Sequence, residues 1–216
     1  MIPPVGAELR DVARAQGPVP ALTRLYTRVG RDAVHGGPRG HAIVPSTVLA
    51  RATQVCLGGV LRDRVPATER LLPLQGGPDG GEVRAVRLRA GAPPCPAFLT
   101  GLTWVRFGLS RGLLDATVRH ARTRTVSGGP LLHQQLVKGT LADVLVELLA
   151  VESVLHGEPT GVALRELHDQ ITRADRMLLR LLGARGFVTA GPGSASYLSE
   201  LLADAYVPGR DEELVA

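Results

Sequence analysis

The sequence has few of the residues that build disulfide frameworks, structural metal sites and base-stacking surfaces. It contains two cysteines, Cys56 and Cys95, with no CxxC pair. Among its 25 basic residues Lys138 is the only lysine, and only three Phe, three Tyr and one Trp are present. Small disulfide-stabilised extracellular domains depend on several cystines, and structural zinc sites need closely spaced cysteine or histidine ligands. We therefore expect no metal site and a reducing, cytoplasmic environment.

Long apolar runs are also missing. No uninterrupted apolar stretch approaches the roughly 18 residues needed to span a bilayer, and the start of the chain lacks a basic segment followed by an apolar one. The sequence therefore predicts no membrane association. With 216 residues and 44% apolar composition, the chain is long enough to bury a core without covalent crosslinks.

The basic excess is confined to the first half of the chain. Residues 1–97 contain 13 Arg and 7 acids, whereas residues 98–216 contain 11 Arg, one Lys and 13 acids, so the halves carry net charges of +6 and −1. The arginines of the first half are scattered among Gly and Pro, and few aromatic side chains are available to stack on bases. We therefore expect no nucleic-acid partner.

Proline and glycine interrupt the first 97 residues repeatedly, so only short elements are predicted there. We predict helices at Ala7–Ala15, Ala21–Val29 and Ser46–Leu61, the last with a capping signal at its start. Alternating polar and apolar residues in Glu82–Arg89 predict a half-buried strand. Its predicted partner is Arg70–Gln75, across a glycine-rich loop.

The second half shows regular helical periodicity. Apolar residues recur at spacings of three and four in four segments, each bounded by Gly or Pro, and every stripe covers one face only. The predicted helices cover about 100–124, 137–155, 164–181 and 198–205. We therefore predict a mainly α protein in which a short, irregular α+β region (1–97) precedes a four-helix bundle (98–216).

Classical catalytic and metal-binding patterns are weak. No G-x-S-x-G elbow occurs, and Ser110, Ser127 and Ser153 have no His and Asp partners at a telling spacing. Histidines at helix ends or on polar faces usually cap helices or contact solvent, and we interpret four of the histidines in this way. These are His120, His133, His156 and His168.

Three separated segments of the second half resemble the C-terminal helical domain of acyl-CoA dehydrogenases. The first runs from Arg124 to Gln135 and continues into Leu141-Ala142-Asp143, and it resembles the family pattern R-x-x-F-G-x-x-x-x-x-x-Q followed by L-A-D-M. The second, 181–187, is similar to Q-I-L-G-G-x-G-Y. The third, 201–205, is similar to L-x-R-D-A. The resemblance covers residues 97–207, with the motifs in the family's order.

The resemblance implies a flavin protein that assembles into oligomers and binds acyl thioesters. It implies that Arg124 contacts the FAD pyrophosphate of a neighbouring subunit, a role for which a guanidinium is well suited. By the same resemblance Gln135, Gly183 and Gly186 are cofactor-binding positions. The alternative for Arg124 is that it complements the negative pole at the end of a helix and stays solvated.

The departures from the family pattern concern the same pocket. Ser127, Arg180 and Ala184 replace residues that line or approach the flavin in the family. Counting forward from the third motif, the position of the family's catalytic carboxylate falls at Glu212, which lacks the usual Y-E-G-T turn. The family's other base position falls at Phe98 and Leu99, which cannot accept a proton.

These observations leave three functional hypotheses. The leading one is a diverged relative that lacks independent desaturase activity, and in which FAD binding by the isolated chain is weak or absent. Such a protein would be a partner subunit of a larger, flavin-bearing relative, or a non-redox tailoring protein, such as a cyclase, in bacterial secondary metabolism. The second is a working FAD-dependent acyl-CoA or acyl-carrier oxidoreductase with Glu212 as its base. The third is a non-catalytic interaction module. Whichever holds, we expect a homo-oligomer, or a hetero-oligomer with a larger acyl-CoA dehydrogenase-like subunit.

Overall fold

A computed structural model of the chain describes residues 5–29, 32–66, 70–73, 82–126, 128–188 and 191–207. Seven helices are formed within these ranges. They are α1 (Val5–Gln16), α2 (Pro18–Val29), α3 (Ser46–Arg51), α4 (Pro96–Thr123), α5 (Gln135–His156), α6 (Val162–Leu182) and α7 (Pro192–Tyr206). The last four helices form the predicted bundle, with α4 and α6 in contact along its centre. The mainly α fold class is confirmed.

The bundle helices end where the sequence breaks their pattern. Gly183, with φ of 55°, follows α6, and this left-handed conformation is available to glycine without steric cost. Pro192 occupies the first turn of α7, where its missing N–H and fixed φ favour helix initiation. Gly157 caps α5. The predicted boundaries of the first three helices in this half are therefore close to those observed, whereas α7 begins at Pro192, six residues before its predicted start.

Short strands form two small sheets in the first half. The strands are β1 (Ala33–His35), β2 (His41–Pro45), β3 (Gln54–Leu57), β4 (Val60–Asp63), β5 (Arg70–Pro73) and β6 (Val83–Arg87). One sheet has the order β1-β3-β4, with β1 and β3 parallel and β3 and β4 antiparallel. The other has the antiparallel order β2-β6-β5. The strand predicted at Glu82–Arg89 is observed over Val83–Arg87, and its predicted pairing with Arg70–Gln75 is observed over Arg70–Pro73. Residues 74 and 75 lie outside the described residues.

The predicted helix at Ser46–Leu61 is wrong beyond Arg51. The chain leaves the helix at Ala52 and forms the β3–β4 hairpin, in which Leu57 pairs with Val60. Gly58 and Gly59 connect the two strands with φ of 59° and 81°. Positive φ at both central residues is typical of the tight turns that match strand twist, and the Gly-Gly pair is the sequence signal for them.

A single buried core runs from the first helices through the bundle. The backbone of α1 approaches α4 closely at glycine positions, because a Cβ at Gly108 would overlap the carbonyl oxygen of Arg10. A Cβ at Gly112 would lie 3.2 Å from the Arg14 carbonyl oxygen, which is tighter than usual. The boundary predicted near residue 97 falls in the first turn of α4, and the N-terminal helices pack on that same helix.

An aromatic cluster joins the first half of the chain to the start of α4 and the end of α7. Phe98 is fully buried, stacks on His35 at 4.4 Å between ring centroids, and contacts Tyr26 and Tyr206. The Ile43 N–H donates to the Tyr206 hydroxyl at 2.9 Å. Burial raises the pKa of Tyr206 to about 12, so both tyrosines stay neutral hydroxyls. Within the described residues, no helix combines the length and hydropathy needed to cross a bilayer.

Candidate functional site

One end of the bundle is rich in basic residues, although one of them, Arg176, is ion-paired with Glu200 on α7. The segment between Asp115 and Asp143 contains no acidic residue, and neither does the segment between Asp175 and Glu200. The fold brings these two segments to the same end, because α4 and α6 finish there while α5 and α7 begin there. We call this region the basic end. Its described basic residues are Arg119, His120, Arg122, Arg124, His133, Lys138, Arg176, Arg180 and Arg185.

Arg124 lies where α4 passes into a short hairpin. Its backbone is extended and its N–H donates to the His120 carbonyl at 2.9 Å, while its own carbonyl accepts the Leu131 N–H. The strands β7 (Thr125–Val126) and β8 (Gly129–Pro130) form the hairpin. Arg124 is exposed, so its guanidinium is accessible from outside the chain.

Gln135 is the first residue of α5, after one 3-10 turn, and it is exposed. Gly183 and Gly186 lie in the 3-10 turn that follows α6. Gly183 is exposed with open space around it, whereas Gly186 is buried against Leu179. Arg124, Gln135, Gly183 and Gly186 thus all lie at the basic end. Their roles toward a cofactor stay predictions.

His120 shows that the two halves of the basic end act on each other electrostatically. Its pKa is lowered, first by burial and then by the positive charges of Arg185 and Arg124. Its Nδ1 is buried and has no hydrogen-bond partner in the described structure. A neutral imidazole and two guanidinium groups therefore face the same region, together with the amino-terminal, positive poles of α5 and α7. Such an arrangement can bind phosphate or diphosphate oxygens.

The sequence analysis missed a buried polar network in the middle of the bundle. Arg106 is fully buried and donates from Nε to the Ser199 hydroxyl at 3.0 Å, from Nη1 to His168 Nδ1 at 2.7 Å, and from Nη2 to the Thr172 hydroxyl at 2.8 Å. Burial lowers the pKa of Arg106 to about 10, and the charge of Asp175 opposes this shift more than any other group does.

His168 is a core residue, which contradicts its predicted place at a helix end or on a polar face. It is 1% exposed, and its pKa is held well below the ordinary value by burial and by Arg106. Because Arg106 can only donate, His168 Nδ1 must accept, and the proton of the neutral ring is on Nε2. Nε2 then donates to the Thr103 hydroxyl at 3.0 Å, and Thr103 donates to the Leu99 carbonyl. The ring is a fixed structural link between α4 and α6.

Asp175 completes this network on the other side. Burial raises its pKa to about 6, while Ser110, Arg106 and Ser199 oppose the shift. Its Oδ1 nevertheless has no partner of hydrogen-bond geometry. The sequence signal for the network is a set of polar residues at helical spacing inside apolar helices: Thr103, Arg106 and Ser110 on α4, and His168, Thr172 and Asp175 on α6.

The resemblance places the family's catalytic base at two alternative positions, Phe98–Leu99 and Glu212, and the structure describes only the first. Phe98 belongs to the aromatic cluster, so this position is filled by a packed ring. Glu212 lies outside the described residues, as does Ser127. Among the residues that the structure does describe, no cluster of three or more His, Cys, Asp or Glu side chains could hold a metal ion.

Comparison with known proteins identifies the fold. Residues 100–157 match the sequence model of the acyl-CoA dehydrogenase C-terminal domain. A comparison with curated proteins found no significant match. An acyl-CoA dehydrogenase from Slackia heliotrinireducens has a similar structure, with a TM-score of 0.64 at 13% identity over 98% of this chain and 78% of that chain.

Two further structures are similar, and one of them is a complex. The ChsE4-ChsE5 complex from Mycobacterium tuberculosis matches with a TM-score of 0.60 at 14% identity, over 93% of this chain and 75% of that chain. A variant of the Tcur3481-Tcur3483 steroid ACAD matches with a TM-score of 0.60 at 17% identity, and the chain spans 60% of that protein's length and 85% of its own. The chain therefore has the acyl-CoA dehydrogenase fold, and its segment 100–157 matches the C-terminal domain of that family.

Proposed function

We propose that this chain is a subunit that partners a flavin-bearing acyl-CoA dehydrogenase and supplies positive charge to the cofactor's diphosphate. The observation that carries the proposal is the basic end, where two segments without any acid meet at Arg124 and the turn after α6. Charge of one sign is costly to gather unless an anion neutralises it. The exposed Arg124 guanidinium is accessible to a group held mainly by another chain.

The fit between these residues and FAD is partial. Guanidinium groups, helix amino termini and a neutral histidine suit a diphosphate. The fit to the flavin ring is the weaker part. The described strands of the first half form two small three-stranded sheets, and Phe98, at one of the family's base positions, is packed among aromatic rings. When bound, the flavin would accept hydride from the substrate. This chain's own part would be to orient and neutralise the diphosphate, with the substrate-facing groups coming from the partner.

An exposed apolar surface on α5 supports assembly. Leu145, Val146 and Leu149 are 39%, 66% and 51% exposed, and Ala142 and Ala150 extend the same face. We call these five residues the α5 strip. They recur at helical spacing and no charge interrupts them, which is typical of a helix face that packs against another helix. A partner that covers this apolar surface would remove it from water, which favours association.

The test compares the isolated chain with a co-expressed pair. The partner to use is the flavin-bearing acyl-CoA dehydrogenase encoded nearest this gene in its own genome. The chain alone should be colourless and take up no added FAD, whereas the co-purified complex should absorb near 450 nm. Val146→Asp in the α5 strip should separate the two proteins on size-exclusion chromatography.

Arg124→Ala should lower the flavin content of the complex without preventing assembly. Arg173→Ala, at an exposed arginine on α6 that is not part of the basic end, is the matched control and should leave flavin content unchanged. Stoichiometric FAD in the isolated chain together with acyl-CoA oxidation would refute the proposal in favour of a self-sufficient flavoenzyme with Glu212 as base.

A further inference from the structure

A groove separates the second half of α4 from the first half of α5. Its volume is about 520 Å³, which lies within the usual range of small-molecule sites. Its floor is apolar, because Leu114 and Leu141 are buried there and Val118 is half-buried. This surface is concave, and Ala142 and Leu145 of the α5 strip form part of its wall.

Arginines border the groove. Arg111, Arg119 and Arg122 line it from α4, at spacings that place them on one face of the helix. Asp115 is the one acidic residue of the lining, and its carboxylate is 2.7 Å from Arg14 Nε, so its charge is already compensated. The groove therefore combines an apolar floor with a net positive border.

Arg111 has an unmet hydrogen-bonding requirement. Its Nη1 is buried and has no hydrogen-bond partner in the described structure. A buried N–H donor without an acceptor costs free energy. Arg111 as a whole is only partly buried and lines the groove, so its guanidinium can turn toward an anionic group bound there. An apolar ligand would leave this donor unpaired, and a cation would be repelled.

We infer that the groove binds a single-chain amphiphile whose head group is a carboxylate or a phosphate. The aliphatic chain lies along the floor between α4 and α5, and the head group accepts hydrogen bonds from the bordering arginines. Both anions match the fork of a guanidinium, so the structure commits to the shared anionic chemistry. The inference goes beyond the proposed function, because it requires neither FAD nor a partner chain.

Isothermal titration calorimetry on the full chain tests this inference. Dodecanoate and dodecyl phosphate, each below its micelle concentration, are the two anionic probes. Dodecyltrimethylammonium has the same chain with a positive head group and is the ligand control. At least one anionic probe should bind with one-site stoichiometry, and the cationic probe should not bind. Binding of dodecanoate alone indicates a ligand with a carboxylate head group, and binding of dodecyl phosphate alone indicates a ligand with a phosphate head group.

Two substitutions localise the binding. Arg111→Gln should weaken it at least tenfold, as expected for the loss of a charged hydrogen-bond donor. Ala142→Glu introduces a carboxylate at an exposed position on the groove wall and should abolish it. Arg173→Gln, which removes an equal charge on α6, should have no effect.

Ala142→Glu alone decides the matter if Arg111→Gln does not fold by circular dichroism, because an exposed alanine can be replaced without disturbing the core. Equal binding of the cationic probe would overturn the inference. So would binding that neither groove substitution changes, or the absence of binding by both anionic probes.

Discussion

Replacing the buried acid Asp175 by its neutral amide should stabilise the protein at neutral pH. Asp175 is 4% exposed and has a pKa of about 6 in the folded state, against an ordinary value of 3.8. Because the folded-state pKa is raised, the native state holds the proton more tightly than the unfolded state does. The resulting stability is fully present below pH 3.8 and is lost as the pH rises through about 6.

The gap between these two pKa values sets the magnitude. It corresponds to roughly 3 kcal/mol of free energy of unfolding lost between acidic and neutral pH. An asparagine side chain at this position would imitate the protonated carboxyl at every pH. Asp175→Asn should therefore match the unsubstituted protein near pH 4 and exceed it by roughly 3 kcal/mol at pH 7.5. The attraction of Arg106 adds no further penalty, because it already contributes to the folded-state pKa.

Urea denaturation at half-unit pH intervals from 4 to 7.5 measures this difference. Asp143→Asn, on the exposed side of α5, controls for the loss of one negative charge and should not reproduce the pH-dependent gap. A variant that is less stable than the parent at pH 7.5, with the same difference at pH 4, would refute the reasoning. That result would mean that the ionised carboxylate is well solvated or well paired in the folded protein.

Three further predictions concern packing and protonation. Tyr206→Phe should cost about 1 to 3 kcal/mol in chemical denaturation, because the buried Ile43 N–H loses its acceptor, and an unchanged midpoint would contradict that bond. Gly193→Ala should destabilise by about 1 to 3 kcal/mol, since a Cβ there overlaps a backbone carbonyl, whereas Gly139→Ala, with open space inside α5, should stabilise by up to about 1 kcal/mol. The His168 ring should keep its proton on Nε2 throughout pH 5 to 8, and ¹⁵N chemical shifts that titrate in this range would disprove its neutral state.

The helices of the bundle could be predicted from the sequence because each has one apolar stripe that ends at Gly or Pro. For α6 the stripe and its end at Gly183 are both observed. Periodicity failed at Ser46–Leu61, where a run of mixed residues fitted a helix and the deciding signal was the Gly58-Gly59 turn. Two adjacent glycines determine the backbone more strongly than the helical propensity of their neighbours.

Of the candidate site, only the distribution of charged residues along the chain could be predicted from the sequence. The two acid-free segments can be read from the sequence, but their meeting at one end requires the up-and-down order of the bundle. Arg106 could not be recognised as buried, because an arginine is normally solvated and its three side-chain partners belong to α6 and α7. The sequence analysis also missed Arg111. The groove that this arginine lines has its opposite wall on α5, and the pairing of the two helices cannot be read along the chain.

The close approach of α1 to α4 has a mechanical consequence. At Gly108 and Gly112 the α1 backbone, together with the Ala13 methyl group at Gly108, fills the space that a side chain would take, so sliding α1 along α4 would press α4 side chains against that backbone. The amino-terminal helices and the long central helix therefore respond to force as one stiff body. Any partner that pulls on α1 would transmit the load directly to the helix that ends at Arg124.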